Sequence, residues 1–187
     1  RFGGRESRTY PWTRGAAHNC GWSAGGPNAF HRAGRPPTMR VSVIGGGSVD
    51  EATAERARTV GRLLGERGAV VVCGGLGGVM EAACAGASAA GGRTVGILPS
   101  ADRRDANEYV DVAVATGLGH ARNALVVMNG DAVVAVDGGA GTLSELGYAG
   151  VFDRPVAGLG THDAPGIEAV DDTPAEAVDY VAAALED

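Results

Sequence analysis

The sequence predicts an α/β domain of the three-layer kind, with helices on both faces of a mostly parallel sheet. Three observations carry this prediction. From Met39 onward, short runs of Val, Ile and Ala alternate with segments whose apolar residues recur at helical spacing. Those runs are continuously apolar, as strands buried on both faces require. Three glycine-rich segments, 45–47, 74–78 and 138–141, each follow directly on such a run.

Strands are expected at 41–45 (VSVIG), 69–73 (AVVVC), 93–97 (RTVGI), 131–136 (DAVVAV) and 155–159 (PVAGL), with 110–115 a further candidate. Ser48 and Glu51 are spaced as a capping box at the start of the first helix. Ala54, Ala57, Val60 and Leu64 form its apolar stripe, and Gly68 closes it. Met80, Ala83, Cys84 and Ala87 make a second stripe that ends at Gly91-Gly92. A third helix is expected from about Gly119 to Asn129, a fourth from Gly141 to Phe152, and a last over 173–185. Strands alternating with helices imply parallel pairing and right-handed crossovers, hence a Rossmann-like fold.

Residues 1–38 are rich in Gly, Pro and Arg and show neither the strand period nor the helix period. Such a stretch cannot bury enough apolar area to offset its ordering entropy. It is expected to be a disordered tail or a non-native N-terminal extension, with the domain occupying 39–187. Gly21-Trp22-Ser23-Ala24-Gly25 matches the G-x-S-x-G of hydrolase nucleophile elbows, but Asn19 and Pro27 stand where that elbow needs a strand and a helix.

Composition excludes several chemistries. All 16 basic residues counted as Lys+Arg are arginine. A Walker P-loop and a pyridoxal-phosphate Schiff base each need a lysine, so neither is possible. From Met39 onward ten arginines face 21 acids, a net of −11 that argues against nucleic acid as a partner. No apolar run reaches membrane-spanning length, so no membrane partner is expected. Cys20, Cys73 and Cys84 form neither a CxxC pair nor an even framework, which fits a reduced cytoplasm. No metal site is expected.

In an alternating α/β chain each strand ends at the carboxyl rim, where the next helix begins. The three glycine loops therefore share one rim, where open α/β sheets bind ligands and helix N-termini attract anions. Gly45 and Gly47 supply G-x-G, but Asp50 replaces the third glycine of the dinucleotide fingerprint. Expected ligand-binding positions are Gly45, Gly46, Gly75, Gly77, Gly78, Met80, Asn123, Gly138, Gly139, Gly141 and Thr142. Arg122 falls in the first turn of its helix, where the macrodipole disfavours a cation by roughly several tenths of a kcal/mol, so an anionic partner is expected. The chain's descent and return bring Arg122 and Glu145 to the same rim. Glu145 carries two readings: with Thr142 it spells a capping box, or its carboxylate faces the rim and serves catalysis.

The segments Gly74-Gly75-Leu76-Gly77-Gly78-Val79-Met80-Glu81 and Asp137-Gly138-Gly139-Ala140-Gly141-Thr142-Leu143-Ser144-Glu145 together resemble the LOG family. Its members were once labelled possible lysine decarboxylases and include cytokinin-activating phosphoribohydrolases. Arg122, within GHARN, matches the family's arginine upstream of the second motif. The likeness spans about 39–160 and looks most like the branch that contains molybdenum-cofactor carrier proteins. It implies a Rossmann-like fold, a phosphorylated small-molecule ligand, and a homodimer or tetramer. It also implies that Arg122 and Glu145 are the catalytic pair in cleavage of a base–ribose bond. Two positions depart from the pattern. Asp137 stands where the hydrolases have proline, and either turns away from phosphate or meets a ribose hydroxyl. Asn123 stands where they usually have lysine.

Two functions follow. One is hydrolysis of a nucleoside 5′-monophosphate to base and ribose 5-phosphate. The alternative is a non-catalytic carrier of molybdenum cofactor or a nucleotide. Neither requires a resident cofactor; an AMP-like nucleotide or molybdenum cofactor would be the bound molecule.

Overall fold

A computed structural model describes residues 39–163, 169–170 and 173–186. The expectations for residues 1–38, the elbow-like motif included, lie outside the described residues.

One sheet contains β1 (Arg40–Gly45), β2 (Val70–Cys73), β3 (Arg93–Leu98), β4 (Val112–Ala115), β5 (Ala132–Val136), β6 (Val156–Leu159) and β7 (Ala169–Val170). Its order is β4-β3-β2-β1-β5-β6-β7, and every pairing is parallel. The helices are α1 (Glu51–Glu66), α2 (Val79–Ala89), α3 (Asn123–Met128), α4 (Ala140–Val151) and α5 (Pro174–Ala183).

Successive strand residues feed two separate cores. Val41, Val43, Val134 and Val136 pack with Ala57, Val60 and Leu64 of α1, Ala83 of α2 and Val178 of α5. Ile44, Val133 and Ala135 pack instead with Val126 and Val127 of α3 and with Leu146 and Ala149 of α4. Both faces are thus apolar, which is why the strands read as unbroken Val/Ile/Ala runs. Ser42 and Thr94 are polar exceptions: the buried Ser42 hydroxyl donates to the Val126 carbonyl at 2.8 Å, and that of Thr94 donates to the Tyr109 carbonyl at 2.6 Å.

Glycine closes the first two helices as expected. Gly68 and Gly91 have φ of 71° and 72°. The N–H of Ala69 reaches the Leu64 carbonyl at 3.0 Å and that of Gly92 reaches the Ala87 carbonyl at 2.8 Å, as in a Schellman ending.

Helix starts are less legible. The N-cap of α1 is Asp50, whose carboxylate accepts the Thr53 N–H at 2.8 Å; Ser48 does not cap it. Asp50 is the extended residue directly before the first turn, the place from which a side chain can reach a free N–H. The helix expected at 119–129 is also not continuous. Gly119–Arg122 is a 3₁₀ turn, entered from Gly117 and Gly119 at positive φ, and α3 holds only 6 residues. The short β7 escaped the sequence reading because two residues show no period.

The tightest packing lies between α1 and α2. A methyl group on Gly61 would overlap the Ala83 carbonyl oxygen, and one on Gly86 would overlap that of Arg58. Helix propensity alone favours alanine over glycine by about 1 kcal/mol. Overlap with backbone has the opposite sign and typically costs about 1–3 kcal/mol. Gly61→Ala and Gly86→Ala are each expected to lower stability in urea denaturation; a stabilised variant would show that the two helices can separate freely.

Candidate functional site

The chain runs outward from β1 through β2 and β3 to β4, then returns to place β5 on the other side of β1. In open α/β sheets such a reversal, here at the carboxyl rim between β1 and β5, is where ligands bind.

The β5–α4 connection forms one side of it. Asp137 and Gly138 turn the chain with φ of 51° and 127°. Gly138 is required there, because a Cβ would overlap the Thr142 side chain. Gly139 is the N-cap of α4 and offers no side chain to the first turn, which also lacks acidic residues. The first helical bond runs from the Leu143 N–H to the Gly139 carbonyl at 3.0 Å. The N–H groups of Ala140, Gly141 and Thr142 are therefore the donors the helix itself cannot satisfy. The segment after β6 braces this loop. Thr161 donates its hydroxyl to the Asp137 carbonyl at 2.7 Å, and His162 Nε2 lies 3.1 Å from the Gly139 carbonyl.

Beneath that turn lies a buried polar cluster. Arg122, Asn123 and Glu145 are 7%, 5% and 6% exposed. Arg122 Nη1 stands 3.3 Å from Glu145 Oε1 and donates to Asn123 Oδ1 at 2.9 Å. Asn123 Nδ2 donates to Ser144 Oγ at 2.8 Å, and the Ser144 hydroxyl donates to the Gly141 carbonyl at 2.7 Å. This relay ties the guanidinium to the first turn of α4. Arg122 Nε is buried with no hydrogen-bond partner among the described residues. Burial pushes the Glu145 carboxyl up to about 7, while the Arg122 charge and hydrogen bond pull it down.

The other two glycine loops serve mainly to bring backbone close to backbone. A Cβ on Gly45 would overlap the Val136 carbonyl, and one on Gly78 would overlap the Gly46 carbonyl. That Gly46 carbonyl accepts the Val79 N–H at 2.9 Å, so the first turn of α2 is tied to the β1 loop. Gly75, at φ 74°, lies against Gly96 and Leu98. Gly77 approaches the Gly47 carbonyl, and Met80 packs in a small core with Cys73 and Cys84. The dipole argument for Arg122 also changes. With α3 so short, its side chain is held by Glu145 and Asn123 rather than set against a long helix.

Comparison with known proteins resolves the family. The model of the SLOG cluster4 family matches residues 38–184. The chain belongs to this family. An uncharacterized protein of Archaeoglobus fulgidus is 44% identical over 143 residues, covering 76% of this chain and 93% of that one. The solved molybdenum cofactor binding protein from Rippkaea orientalis is similar with a TM-score of 0.72 and 32% identity, covering 82% of this chain and 99% of that one. A cytokinin riboside 5′-monophosphate phosphoribohydrolase of Mycobacterium tuberculosis is 38% identical over 116 residues, 59% of either chain.

In this SLOG cluster4 chain the rim residues divide by role. Gly138, Gly139, Gly141, Thr142, Asn123, Arg122 and Glu145 come together at the start of α4. Glu145 is not a helix cap: Thr142 is already the third residue of α4, and the carboxylate turns to Arg122. Three contributors escaped the sequence reading. Gly74 leaves the space that Arg122 Nη2 and Met80 Sδ occupy. Ser144 relays between Asn123 and the Gly141 carbonyl, and His162 braces Gly139. The glycine of the first motif was a usable signal for Gly74. Ser144 stood within the second motif segment, and nothing local marked His162.

Glu145 also sets a pH dependence. In the folded chain it holds its proton up to about 7, against an ordinary value of 4.5. Between those values the native state binds more protons than the unfolded state, so this contribution to stability is full at low pH and falls as pH rises. Glu145→Gln removes the effect. The stability of the wild type minus that of Glu145→Gln is expected to decline by on the order of 3 kcal/mol from pH 5 to pH 8 in urea denaturation. A flat difference would mean that the carboxylate stays ionised across the range.

Proposed function

We propose that this chain binds a phosphorylated small molecule, with its phosphate on the first turn of α4, and holds it intact. The observation that carries this reading is the pairing of three unspent N–H donors on a 12-residue helix with a buried guanidinium tied to that helix through Glu145 and, by way of Asn123 and Ser144, to the Gly141 carbonyl. Helix N-termini attract anions through both their free N–H groups and the macrodipole. A nucleoside 5′-monophosphate and the molybdenum cofactor share the required phosphomonoester.

The engagement of Arg122 and Glu145 supports retention rather than cleavage. A carboxylate that activates water must reach the water and the reacting carbon. Here both side chains are buried and bound to one another, and Asn123 draws Arg122 towards Ser144. The protein of known structure from Rippkaea orientalis is described as molybdenum cofactor binding, which agrees with this reading. Hydrolysis is the second reading. It is favoured by a Glu145 carboxyl near 7, fit to take and return a proton, and by the partial likeness to a phosphoribohydrolase.

Ala140→Asp tests the seat of the phosphate. A carboxylate on the first turn favours the helix but competes with an anionic ligand. Calorimetry with AMP and with inorganic phosphate is expected to show binding to the wild type, at least about tenfold weaker binding to the variant, and no loss of thermal stability. Equal binding by both proteins would put the anion elsewhere. Chromatography of the same AMP mixtures is expected to show no free adenine; release that disappears in Glu145→Gln would establish the hydrolase.

The same reading includes self-association. The α3 and α4 segments carry a single charged side chain, the buried Glu145, on a domain of strongly negative net charge. Met128, Leu143, Tyr148 and Val151 are exposed there, the last at 71%. Two like-charged bodies meet at least cost through an uncharged face. Native mass measurement is expected to give a dimer or its multiple, reduced to monomer by Val151→Arg; a wild-type monomer would remove this part of the proposal.

A further inference from the structure

Asp137 places an exposed carboxylate at the carboxyl rim where the strand order reverses. It is the first residue after β5, and its Oδ2 lies 3.2 Å from where a Cβ on Gly46, the first residue after β1, would stand. The missing side chain of Gly46 is what makes room for it. The sequence left open whether this side chain turns away from the rim; its position over the β1 loop answers that it does not.

The backbone that aims this carboxylate is over-determined. Asp137 has φ 51°, a conformation that non-glycine residues adopt at a cost of order 1 kcal/mol and that Asp and Asn tolerate best. Its N–H donates to the Leu159 carbonyl at 3.0 Å, and its own carbonyl accepts the Thr161 hydroxyl at 2.7 Å. Proline, the residue of the related hydrolases' motif, has its φ held near −65° and no N–H to give. This loop is therefore built for a different side chain from theirs.

Among the described residues, no hydrogen bond or ion pair ends on the Asp137 carboxylate. It accepts hydrogen bonds only, and no cation is paired with it. Three residues further on, Ala140 begins the helix proposed to hold a phosphate, which a bare carboxylate repels. The part of the ligand that meets Asp137 is then a hydrogen-bond donor close to the phosphate but separate from it.

We propose that Asp137 recognises the vicinal diol of a ribose 5′-phosphate, each carboxylate oxygen accepting from one hydroxyl, and so selects ribonucleotides. The inference rests on the phosphate seat at α4. A diol lies one sugar ring from the 5′-phosphate. The amino edge of a pterin, another two-donor group, lies at the far end of its molecule, beyond the reach of a residue so close to Ala140. Asp137 is thus a specificity-determining residue with no bond-breaking step assigned to it.

The experiment is calorimetric titration of the full chain and of Asp137→Asn with AMP, 2′-deoxy-AMP and inorganic phosphate. Asparagine keeps the left-handed backbone and removes the charge, and unchanged thermal melting checks that the fold is kept. Asp137→Gly, which relieves the backbone altogether, provides a second variant. The wild type is expected to bind AMP about tenfold more tightly than 2′-deoxy-AMP. Both variants are expected to lose that preference while binding phosphate as well as the wild type or better. A wild type that binds phosphate and both nucleotides alike would overturn the inference and leave the phosphate seat standing. Variants that bind AMP more tightly would likewise overturn it and make Asp137 a repulsive neighbour of the phosphate. Failure of the wild type to bind phosphate or either nucleotide would overturn the seat and this inference together.

Discussion

The buried contact between Arg122 and Glu145 is the interaction around which the rim is arranged. Two charges taken out of water are costly unless each meets the other and its remaining polar atoms are satisfied. The structure meets most of that demand. Asn123 and Ser144 carry the guanidinium's hydrogen bonding into the first turn of α4, and Gly74 vacates the space the guanidinium needs. Three separate stretches of chain, at 74, 122–123 and 144–145, must therefore be in register before the pair is stable. The one buried atom of the pair left without a hydrogen-bond partner among the described residues is Arg122 Nε.

The glycines of the rim answer to two distinct constraints. Gly45, Gly75 and Gly78 are glycines because backbone approaches backbone there, and the carbonyl of Gly46 is already spent on α2. Gly138 frees the turn into α4, whose first N–H groups remain unspent. A glycine-rich loop is thus no measure of ligand binding by itself. What separates an anion seat from a packing contact is whether the donors behind it already have partners.

Charge distribution separates the surfaces in a similar way. Helix α1 carries exposed acids and arginines paired along its length, such as Arg62 with Glu66. The α3 and α4 layer shows solvent only small, apolar and uncharged side chains. The two sides of the sheet therefore offer different surfaces to a partner, although both bury equally apolar cores.

Much of this was legible in the residues. Unbroken Val/Ile runs announced strands covered on both faces, Gly68 and Gly91 marked helix ends, and alternation placed the glycine loops on one rim. Each depends on local backbone chemistry or on a period, and local chemistry is written in order along the chain. The helix starts were harder, because Ser48 and Asp50 are both competent caps and only the last extended residue can serve. Thr142 and Glu145 likewise spelled a capping box that α4, beginning two residues earlier, does not use. What tertiary structure alone decided is which polar groups meet. Glu145 found Arg122 across 23 residues, His162 reached Gly139, and Asp137 came to rest over Gly46. Such encounters depend on strand order and on the few ångströms that a missing Cβ releases, and neither quantity has a signature in the sequence of the residues that meet.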